Sequence, residues 1–302
     1  MRAIRLHAAG GPNGLAIEQI DIPQLQMGEA LVRVHAAALT RDELTWPVDR
    51  LPAIPSYELS GVVADVATGV TDLGVGESVF ALTPFDRDGA ACEYAVVPAG
   101  LLAAKPHSLG HVESAAIPLA ALSAWQGLFD HGRLEEGERV LIHGAAGGVG
   151  HFATQLARRR GVHVIGTVSA AGVENARRLG AHEVLDHTAT PFEEAVEPVD
   201  LVFDTVGGDV LDRSATVLRA GGRLVSVAED PPAAVSEQVE ATYFVVEPSR
   251  TQLVELASLV DHGTLRPEID SVFALADAPA AFERSLAAGK RGKVVLRVVD
   301  DE

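Results

Sequence analysis

The stretch "HGAAGGVGHF", residues 143–152, carries glycines at three-residue spacing, at positions 144, 147 and 150. An apolar run, "RVLIH", precedes it. The residues that follow recur at the spacing of one apolar helical face: Val149, Phe152, Ala153 and Leu156. Arginines 158–160 and Gly161 are typical of the last turn and end of that helix. The pattern therefore predicts a strand, a glycine loop and a helix in direct succession.

Such a loop is suited to a pyrophosphate group. Glycine lets the phosphates approach the backbone N–H groups at the start of the helix, and the helix dipole favours negative charge. A plain glycine-rich turn is the alternative. Because a further strand, "HVIGTV", follows the helix in the expected order, we interpret the stretch as a dinucleotide-binding loop.

The remainder of the chain divides near residue 113. Upstream lie short runs rich in β-branched residues, separated by turn signals, which predict a partly closed β-structure: "AIRLH", "LAIEQI", "ALVRVHAAAL", "SGVVADV", "ESVFAL" and "CEYAVV". Downstream, helical patterns alternate with the apolar strands "RVLIH", "HVIGTV", "EVLDH", "DLVFDTV" and "RLVSVA". This alternation is typical of a doubly wound parallel sheet and places the protein in the α/β class. The tail, a helix followed by "KVVLRVV", fits either part on its pattern alone.

Charge and cysteine content limit the partners. The formal net charge of −18 repels phosphate backbones and anionic membrane surfaces, so we expect no nucleic-acid or membrane partner. Cys92 is the only cysteine, which excludes an intrachain disulfide and a multi-cysteine zinc site. The N-terminal stretch lacks the apolar core of a signal peptide, and no run has the length of a membrane span. We therefore expect a cytoplasmic protein.

The end of the strand "HVIGTV" bears on which dinucleotide binds. NAD sites usually carry an acidic residue about 20 residues past the glycines, on the ribose 2′-hydroxyl. Here Thr167 and Ser169 occupy that region, and no carboxylate precedes Glu174. An acid would repel a 2′-phosphate, so its absence permits NADP, although no arginine or lysine in that loop selects it. Alternatively, Thr167 and Ser169 cap the following turn.

Stretches along the whole chain resemble the medium-chain dehydrogenase/reductase superfamily, and specifically its zinc-free, zeta-crystallin-like quinone oxidoreductase branch. They occur in family order: "IPSYELSGVVADV", "VGESVFAL", "AAIPLAALSAWQGLF", "VLIHGAAGGVG", "RRLGAHEVLDH", "DLVFDTVGGDVLDRS", "GGRLVSVA" and "GKVVL". The resemblance implies a GroES-like β-rich substrate domain of residues 1–112 and 265–302. It also implies an inserted Rossmann NADP-binding domain of residues 113–264, and a homodimer.

The resemblance also implies that no metal takes part. Zinc-dependent relatives hold the metal with Cys, His and Cys, whereas the matching positions here are Thr40, Tyr57 and Leu119. Glu58 matches a position that is acidic even in the zinc enzymes, where it organises the site. Without a metal to polarise a carbonyl, the hydride acceptor must already be electrophilic, as a quinone or an enone is.

Cofactor-binding residues also follow from the resemblance. Backbone of the glycine loop would contact the pyrophosphate, at Ala145, Ala146, Gly147, Gly148 and Val149. The adenosine ribose and its phosphate would lie among Thr167, Ser169 and His187, of which His187 stands where the branch often has tyrosine. Further strand ends would flank the cofactor: Thr205, Val206, Val227, Ala228, Phe244 and Val245. Lys293 is expected to reach a phosphate or ribose, or else to be a solvated lysine before a strand.

The acceptor site is predicted from four residues. Thr40 and Tyr57 are the candidate catalytic residues, and Trp46 and Trp125 the candidate substrate-binding ones. Alternatively, both tryptophans are packing residues. For Trp125, which falls on an apolar helix face, packing is the better interpretation. The Tyr57 phenol can donate a proton or be a structural group, and water is the other proton donor. An unperturbed phenol has a pKa near 10, and no lysine lies close to Tyr57 in sequence.

These inferences predict an NADPH-dependent oxidoreductase that transfers hydride to a quinone or an α,β-unsaturated carbonyl without zinc. Two alternatives stay open: an enoyl-thioester reductase, and a non-catalytic NADPH-binding protein of the crystallin kind. The acidic surface argues against anionic thioester carriers.

Overall fold

The structure, a computed structural model, describes residues 1–46 and 49–299. The chain forms two compact units. The first, here called the β-rich unit, contains Met1–Leu119, Pro248–Gly263 and Pro267–Glu302. The second, the parallel-sheet unit, contains Ala120–Glu247 and Thr264–Arg266. The domain ranges expected from the sequence, 1–112 with 265–302 and 113–264, stay a prediction beside this grouping.

The strands of the described residues, in chain order, are β1 (Arg2–Leu6), β2 (Leu15–Gln19), β3 (Glu29–Leu39), β4 (Glu58–Val66), β5 (Ser78–Leu82), β6 (Tyr94–Pro98), β7 (Ala103–Ala104), β8 (Arg139–His143), β9 (His163–Val168), β10 (Glu183–Asp186), β11 (Val199–Asp204), β12 (Leu218–Ser226), β13 (Glu240–Tyr243), β14 (Ile269–Ala274) and β15 (Lys293–Arg297). The α-helices are α1 (His111–Ala115), α2 (Pro118–Trp125), α3 (Gly150–Arg159), α4 (Val173–Arg178), α5 (Phe192–Ala195), α6 (Asp209–Arg213), α7 (Ala233–Ser236), α8 (Arg250–Asp261) and α9 (Ala278–Leu286). Among the described residues, no helix is both long and apolar enough to cross a membrane.

The β-rich unit is built on a mixed sheet. Its strands run in the order β14-β15-β3-β4-β5-β7, with β6 also paired to β3, and β1 and β2 form a separate antiparallel pair. Strand β15 pairs antiparallel with β3, Val294 opposite Leu39, and this pairing fixes the tail in the sheet of this unit. The buried faces of these strands share one apolar core with α9, which contributes Phe282.

The parallel-sheet unit confirms the prediction of a doubly wound sheet. Its strands run in the order β10-β9-β8-β11-β12-β13, all parallel. From β8 the chain moves outward through β9 to β10, then returns to β11 on the other side of β8. Ligands in such sheets bind outside the carboxyl ends of the strands, at the point where the order reverses. The topology therefore places a binding crevice next to the loop that follows β8.

A π-helical turn, Gln126–His131, continues α2 into the parallel-sheet unit. A Cβ at Gly127 would lie 2.3 Å from the Phe203 ring, so only glycine lets this turn approach β11. The Gln126 side chain spans to the chain after β13, where its amide donates to the Glu247 carbonyl at 2.8 Å and accepts from the Glu247 N–H at 3.0 Å. These contacts fix the end of the turn against the edge of the sheet.

Candidate active site

The glycine loop after β8 folds back tightly over the start of α3. The backbone N–H groups of Gly144 and Ala145 each donate to the Thr167 carbonyl at 3.1 Å, and Gly147 N–H donates to the Gly144 carbonyl at 2.8 Å. Gly144 has φ 74°, a conformation that favours glycine. A Cβ at Gly150 would lie 2.1 Å from the Gly144 carbonyl oxygen. The spacing of the glycines is therefore a requirement of this loop, which leaves the helix start open to an anion.

A buried histidine supports the loop from beneath. His143 Nδ1 lies 3.1 Å from Thr167 Oγ1, and its Nε2 lies 3.1 Å from Ser214 Oγ. The Ser214 hydroxyl donates to the Val210 carbonyl, so Nε2 carries the proton and Nδ1 accepts from Thr167. Burial is the main cause that lowers the pKa of His143 to about 3, so the ring stays neutral. The Thr167 hydroxyl therefore already donates its hydrogen to His143 on the inner side of the loop.

His151 stabilises the same loop from the helix side, since its Nδ1 lies 2.9 Å from the Gly147 carbonyl oxygen. Neither His143 nor His151 was singled out from the sequence. The available signal was their position, since they flank the glycines as the last residue of β8 and the second of α3.

The predicted cofactor residues of the parallel-sheet unit all lie at the carboxyl edge of the sheet. Each set follows or ends a different strand: Ala145, Ala146, Gly147, Gly148 and Val149 after β8, Thr167 and Ser169 at β9, His187 after β10, Thr205 and Val206 after β11, Val227 and Ala228 after β12, and Phe244 and Val245 after β13. Val206 and Val245 are 54% and 58% exposed, unusual for valine. Ser169 makes no side-chain cap on the turn that follows it, so the capping alternative is wrong for that residue.

Several of these strand ends are held in place by hydrogen bonds. Thr205 Oγ1 donates to the His143 carbonyl at 2.7 Å and ties β11 to the glycine loop. The buried Asp204 accepts from Ser226 Oγ at 2.8 Å, and Ala228 N–H donates to the same hydroxyl at 3.1 Å. Burial raises the pKa of Asp204, against the effect of these hydrogen bonds. The edge of the sheet is therefore preorganised before any ligand arrives.

In the β-rich unit, a buried ion pair occupies the centre of the predicted catalytic region. Lys293 Nζ contacts Glu58 Oε1, and the two residues are 4% and 0% exposed. The ammonium also donates to Thr40 Oγ1 at 3.2 Å, and Leu119 N–H donates to Glu58 Oε2 at 2.8 Å. The solvated-lysine alternative for Lys293 is wrong. Its ammonium is committed to Glu58 and Thr40, and its expected contact with a phosphate stays a prediction.

These residues do not fit a zinc ion. Thr40, Tyr57 and Leu119 supply a hydroxyl, a phenol and a backbone amide, none of which is a soft or imidazole ligand. Glu58, which contacts Thr40 and Leu119 and follows Tyr57 in the chain, already pairs with a cation, the Lys293 ammonium. Within residues 1–46 and 49–299, no cluster of three or more His, Cys, Asp or Glu side chains is arranged to hold a metal.

A second buried carboxyl, Glu43, lies near this pair and was missed from the sequence. It is 0% exposed, and neither side-chain oxygen has a hydrogen-bond partner of ordinary geometry among the described residues. Burial is the main cause that raises its pKa well above the usual value, with a further rise from Glu58. Lys293 and the backbone of Thr40 and Ser56 oppose the rise. Burial therefore favours the protonated form of Glu43. In the sequence it is visible only as an acidic residue of "TRDE", three positions after Thr40.

We expect Glu43→Gln to remove part of the pH dependence of folding. The folded pKa of Glu43 is raised, so the folded chain keeps a proton that the unfolded chain releases above a pKa of about 4.3. Its contribution is complete at low pH and is lost as pH rises toward the folded pKa. The free energy of unfolding, from urea titrations between about pH 5 and pH 8, should fall more steeply in the wild type than in Glu43→Gln.

The exposed Glu255 provides the control, since Glu255→Gln should leave the slope unchanged. The other charged groups around the cluster are Arg41, Asp42, Lys290, Lys293, Glu58 and Arg50. These groups are the same in the wild type and in the Glu43→Gln variant. Among them, burial lowers the pKa of Lys290 to about 8, at the top of the range. Parallel curves for the wild type and Glu43→Gln would mean that Glu43 is ionised in the folded protein.

Tyr57 lies in an aromatic cluster beside these carboxyls. Its ring centroid is 5.7 Å from Trp46 and 5.2 Å from Phe85, and Trp46 lies 5.3 Å from Phe85. The phenol accepts from Arg50 Nη2 at 3.5 Å, and the same guanidinium donates to the Phe85 carbonyl at 2.6 Å. Burial raises the pKa of Tyr57, and Arg50 opposes that rise. The phenol is therefore a weaker acid than free tyrosine.

The structure thus brings Thr40, Tyr57 and Trp46 together within the β-rich unit, and adds Arg50 and Phe85, which the sequence did not indicate. Trp125 belongs to the parallel-sheet unit, where it packs edge-to-face on Phe129 at 5.3 Å. This contact agrees with the packing alternative for Trp125, and its role at the acceptor stays a prediction.

Comparisons with known proteins agree with both units. Residues 26–107 match the family model described as alcohol dehydrogenase GroES-like domain, and residues 179–296 match one described as zinc-binding dehydrogenase. The chain is 32% identical to a probable zinc-binding mitochondrial oxidoreductase of Arthroderma benhamiae, over 92% of this chain and 90% of that protein. It is 31% identical to the NADPH-dependent chloroplastic alkenal/one oxidoreductase of Arabidopsis thaliana, over 93% and 76%.

A solved structure extends the likeness to the whole fold. The quinone oxidoreductase of Coxiella burnetii is 31% identical and superposes with a TM-score of 0.93, covering 99% of each chain. These similarities confirm the GroES-like and Rossmann-like folds of the two parts, and identify an oxidoreductase that uses a nicotinamide cofactor. The chain belongs to the medium-chain dehydrogenase/reductase superfamily, in its zinc-free quinone oxidoreductase branch.

Proposed function

We propose that the protein is an NADPH-dependent, zinc-independent oxidoreductase that transfers hydride to a quinone or an α,β-unsaturated carbonyl compound. The observation that carries this proposal is the Lys293 ammonium on Glu58, bordered by Thr40 and Leu119. The Lys293 ammonium thus places a positive charge beside Thr40 and Glu58, in the region where a zinc-dependent dehydrogenase would hold its metal. The names of the Arabidopsis and Coxiella relatives support the same acceptor classes.

In this proposal the chain's own residues bind and orient the reactants. The loop at 144–149 holds the pyrophosphate against the start of α3, supported by His143 and His151. The bound nicotinamide supplies the hydride. Trp46 and Tyr57 form an aromatic surface for a planar acceptor, and Trp125 is the proposed further substrate contact. Thr40 and Tyr57 present hydroxyl groups to the acceptor oxygen, where negative charge develops.

The preference for NADPH is part of the proposal and rests on the end of β9. Ser169 is half-buried, and its hydroxyl makes no cap on the next turn. We expect Ser169→Asp to weaken NADPH binding by about tenfold or more while NADH binding changes less, because a carboxylate repels the 2′-phosphate. Dissociation constants from nicotinamide fluorescence would test this. Ser169→Asn, of equal size and no charge, should spare both cofactors; equal losses for NADPH and NADH in Ser169→Asp would place the residue away from the phosphate.

One experiment tests the function as a whole. Oxidation of NADPH and of NADH is followed with a panel of quinones, enones and crotonyl-type thioesters, before and after chelation. We expect turnover with quinones or enones, a preference for NADPH, and no loss on chelation. Turnover confined to thioesters would favour the enoyl-thioester reductase, and binding of NADPH without any turnover the crystallin-like alternative. Loss of activity on chelation, restored by zinc, would contradict the proposal.

We also propose a cytoplasmic location and a homodimer. Sedimentation of the purified protein would test the dimer, and fractionation of the source cells would test the location.

A further inference from the structure

The polar cluster of the β-rich unit contains more proton-bearing groups than an ion pair needs. Glu43, Glu58 and Lys293 are 0%, 0% and 4% exposed, and Thr40 is half-buried. Two carboxyls and one ammonium are electrically balanced only when one carboxyl keeps its proton. Glu58 is the ionised one, because it accepts from Lys293 and from Leu119 N–H, so the proton remains on Glu43, whose oxygens accept from no side chain among the described residues. The cluster therefore holds an exchangeable proton beneath the surface.

Thr40 is the most exposed member of the cluster. Its hydroxyl oxygen accepts from Lys293 Nζ at 3.2 Å, which leaves its own hydrogen free to donate. The Thr40–Glu58 separation of 3.5 Å is long for a hydroxyl–carboxylate hydrogen bond, so Glu58 is a weak competitor for that hydrogen. A half-buried hydroxyl backed by a buried ammonium has the geometry of a proton relay.

We propose that Thr40 is the catalytic acid that protonates the reduced product, and that Lys293 acts behind it as a positioning and proton-supplying residue. This inference rests on the proposed function and specifies its proton-transfer step. It replaces both earlier candidates, Tyr57 and water. The Tyr57 phenol, which accepts from Arg50, has no comparable proton supply behind it.

With an enone, one hydride and one proton are transferred. The β-carbon gains the hydride and a new C–H bond at the expense of a C–H bond of the nicotinamide, which is oxidised, while the C=C electron pair shifts to leave a negative charge on the carbonyl oxygen. The Thr40 O–H bond breaks as its proton passes to that oxygen, and a Lys293 N–H bond breaks as its proton passes to Thr40 Oγ1. Lys293, which stays on Glu58, then regains a proton from solvent, and the enol product tautomerises to the ketone in solvent.

The relay predicts different costs for the two acceptor classes. A carbonyl-stabilised enolate is a strong base that returns its electrons unless it is protonated promptly, whereas a hydroquinone anion is stable enough to await solvent. Thr40→Val keeps the shape of the side chain and removes its hydroxyl. We expect it to lower kcat for enones by about 10²-fold and to abolish the solvent deuterium isotope effect on that step. Quinone reduction and the KM for NADPH should change far less.

Two further variants serve as controls. Thr40→Ser keeps the hydroxyl and removes the methyl group, so it should keep most of the enone activity that Thr40→Val loses. If the threonine methyl had only a packing role, Thr40→Ser would be the more damaging variant. Thr45→Val removes another threonine hydroxyl from the same segment, an exposed one that donates to the Asp42 carbonyl at 2.7 Å, and should leave both activities intact. Infrared difference spectra of Glu43→Gln against wild type, without cofactor, should show the loss of one protonated carboxyl band at neutral pH.

The outcomes separate the relay from the function on which it rests. Enone turnover in Thr40→Val at the wild-type rate, or an equal large loss with quinones, would overturn the relay and leave the oxidoreductase proposal intact. Absence of a protonated carboxyl band would overturn the assignment of that proton to Glu43. No oxidation of NADPH by the wild type with any acceptor would overturn the proposed function itself, whatever the infrared result.

Discussion

Gly150→Ala is expected to weaken the binding of a nicotinamide dinucleotide by at least about 10²-fold, close to 2.7 kcal/mol. The added Cβ would lie 2.1 Å from the Gly144 carbonyl oxygen and 2.9 Å from Ala145 Cα, both backbone atoms that no rotamer change can move. The loop must shift away from α3, and the phosphates then lose the backbone N–H groups at the helix start. Isothermal titration with NADPH measures the effect directly.

Gly100→Ala is the matched control for that substitution. Gly100 has open space around its Cβ position and needs no left-handed backbone, so the same chemical change should leave NADPH binding and the free energy of unfolding nearly unaltered. Gly150→Ala itself should also lose about 1–3 kcal/mol of stability from the overlap. Normal NADPH affinity in folded Gly150→Ala would show that the loop after β8 does not hold the pyrophosphate.

Lys293→Met is expected to destabilise the protein by about 3–5 kcal/mol, because it leaves the Glu58 carboxylate buried without its cation. Glu58 would keep only the Leu119 N–H at 2.8 Å and a distant Thr40 hydroxyl. The free energy of unfolding in urea at neutral pH measures this loss.

A double variant separates charge from packing. Lys293→Met combined with Glu58→Gln leaves no unpaired charge and should recover most of the lost stability, since buried pairs are often replaceable by neutral groups. The exposed pair of Arg2 and Glu93, at 2.7 Å, gives the scale for a surface contact, and Arg2→Met should cost about 1 kcal/mol or less. A loss from Lys293→Met no larger than that would mean that water reaches Glu58.

Local pattern was enough to predict most strands. The segment "HVIGTV" is β9 from His163 to Val168, because a central parallel strand is a continuous apolar run bounded by glycine and a turn. The segment around residue 113, where the helical patterns begin, forms α1, α2 and the π-helical turn. Pro118 begins α2, where its missing N–H has no helical partner to lose. Pro118 was therefore a signal in the sequence for the start of α2.

The chemistry of the β-rich unit was less accessible to sequence reasoning. Glu58 and Lys293 are separated by 235 positions, and nothing local to either residue indicates that they pair. The pKa of Glu43 depends on burial, which belongs to the folded state alone. Arg50 was missed for a similar reason, since its guanidinium meets the Tyr57 phenol only through the turn between them. Positions of motifs were predictable, whereas protonation states were not.

The pairing of β15 with β3 also sets the order in which this protein can be assembled. As the ribosome extends the chain, the whole parallel-sheet unit has been synthesised before β15 is made. The β-rich unit must wait, because the strand beside β3 arrives some 250 residues later and closing so long a loop is entropically costly. Until then the Ala36–Leu39 end of β3 lacks its partner strand and Glu58 lacks the Lys293 cation, so we expect water to remain around Glu58. We therefore expect the Lys293–Glu58 pair to form and lose its water only after β15 has been synthesised, and not when the earlier strands fold.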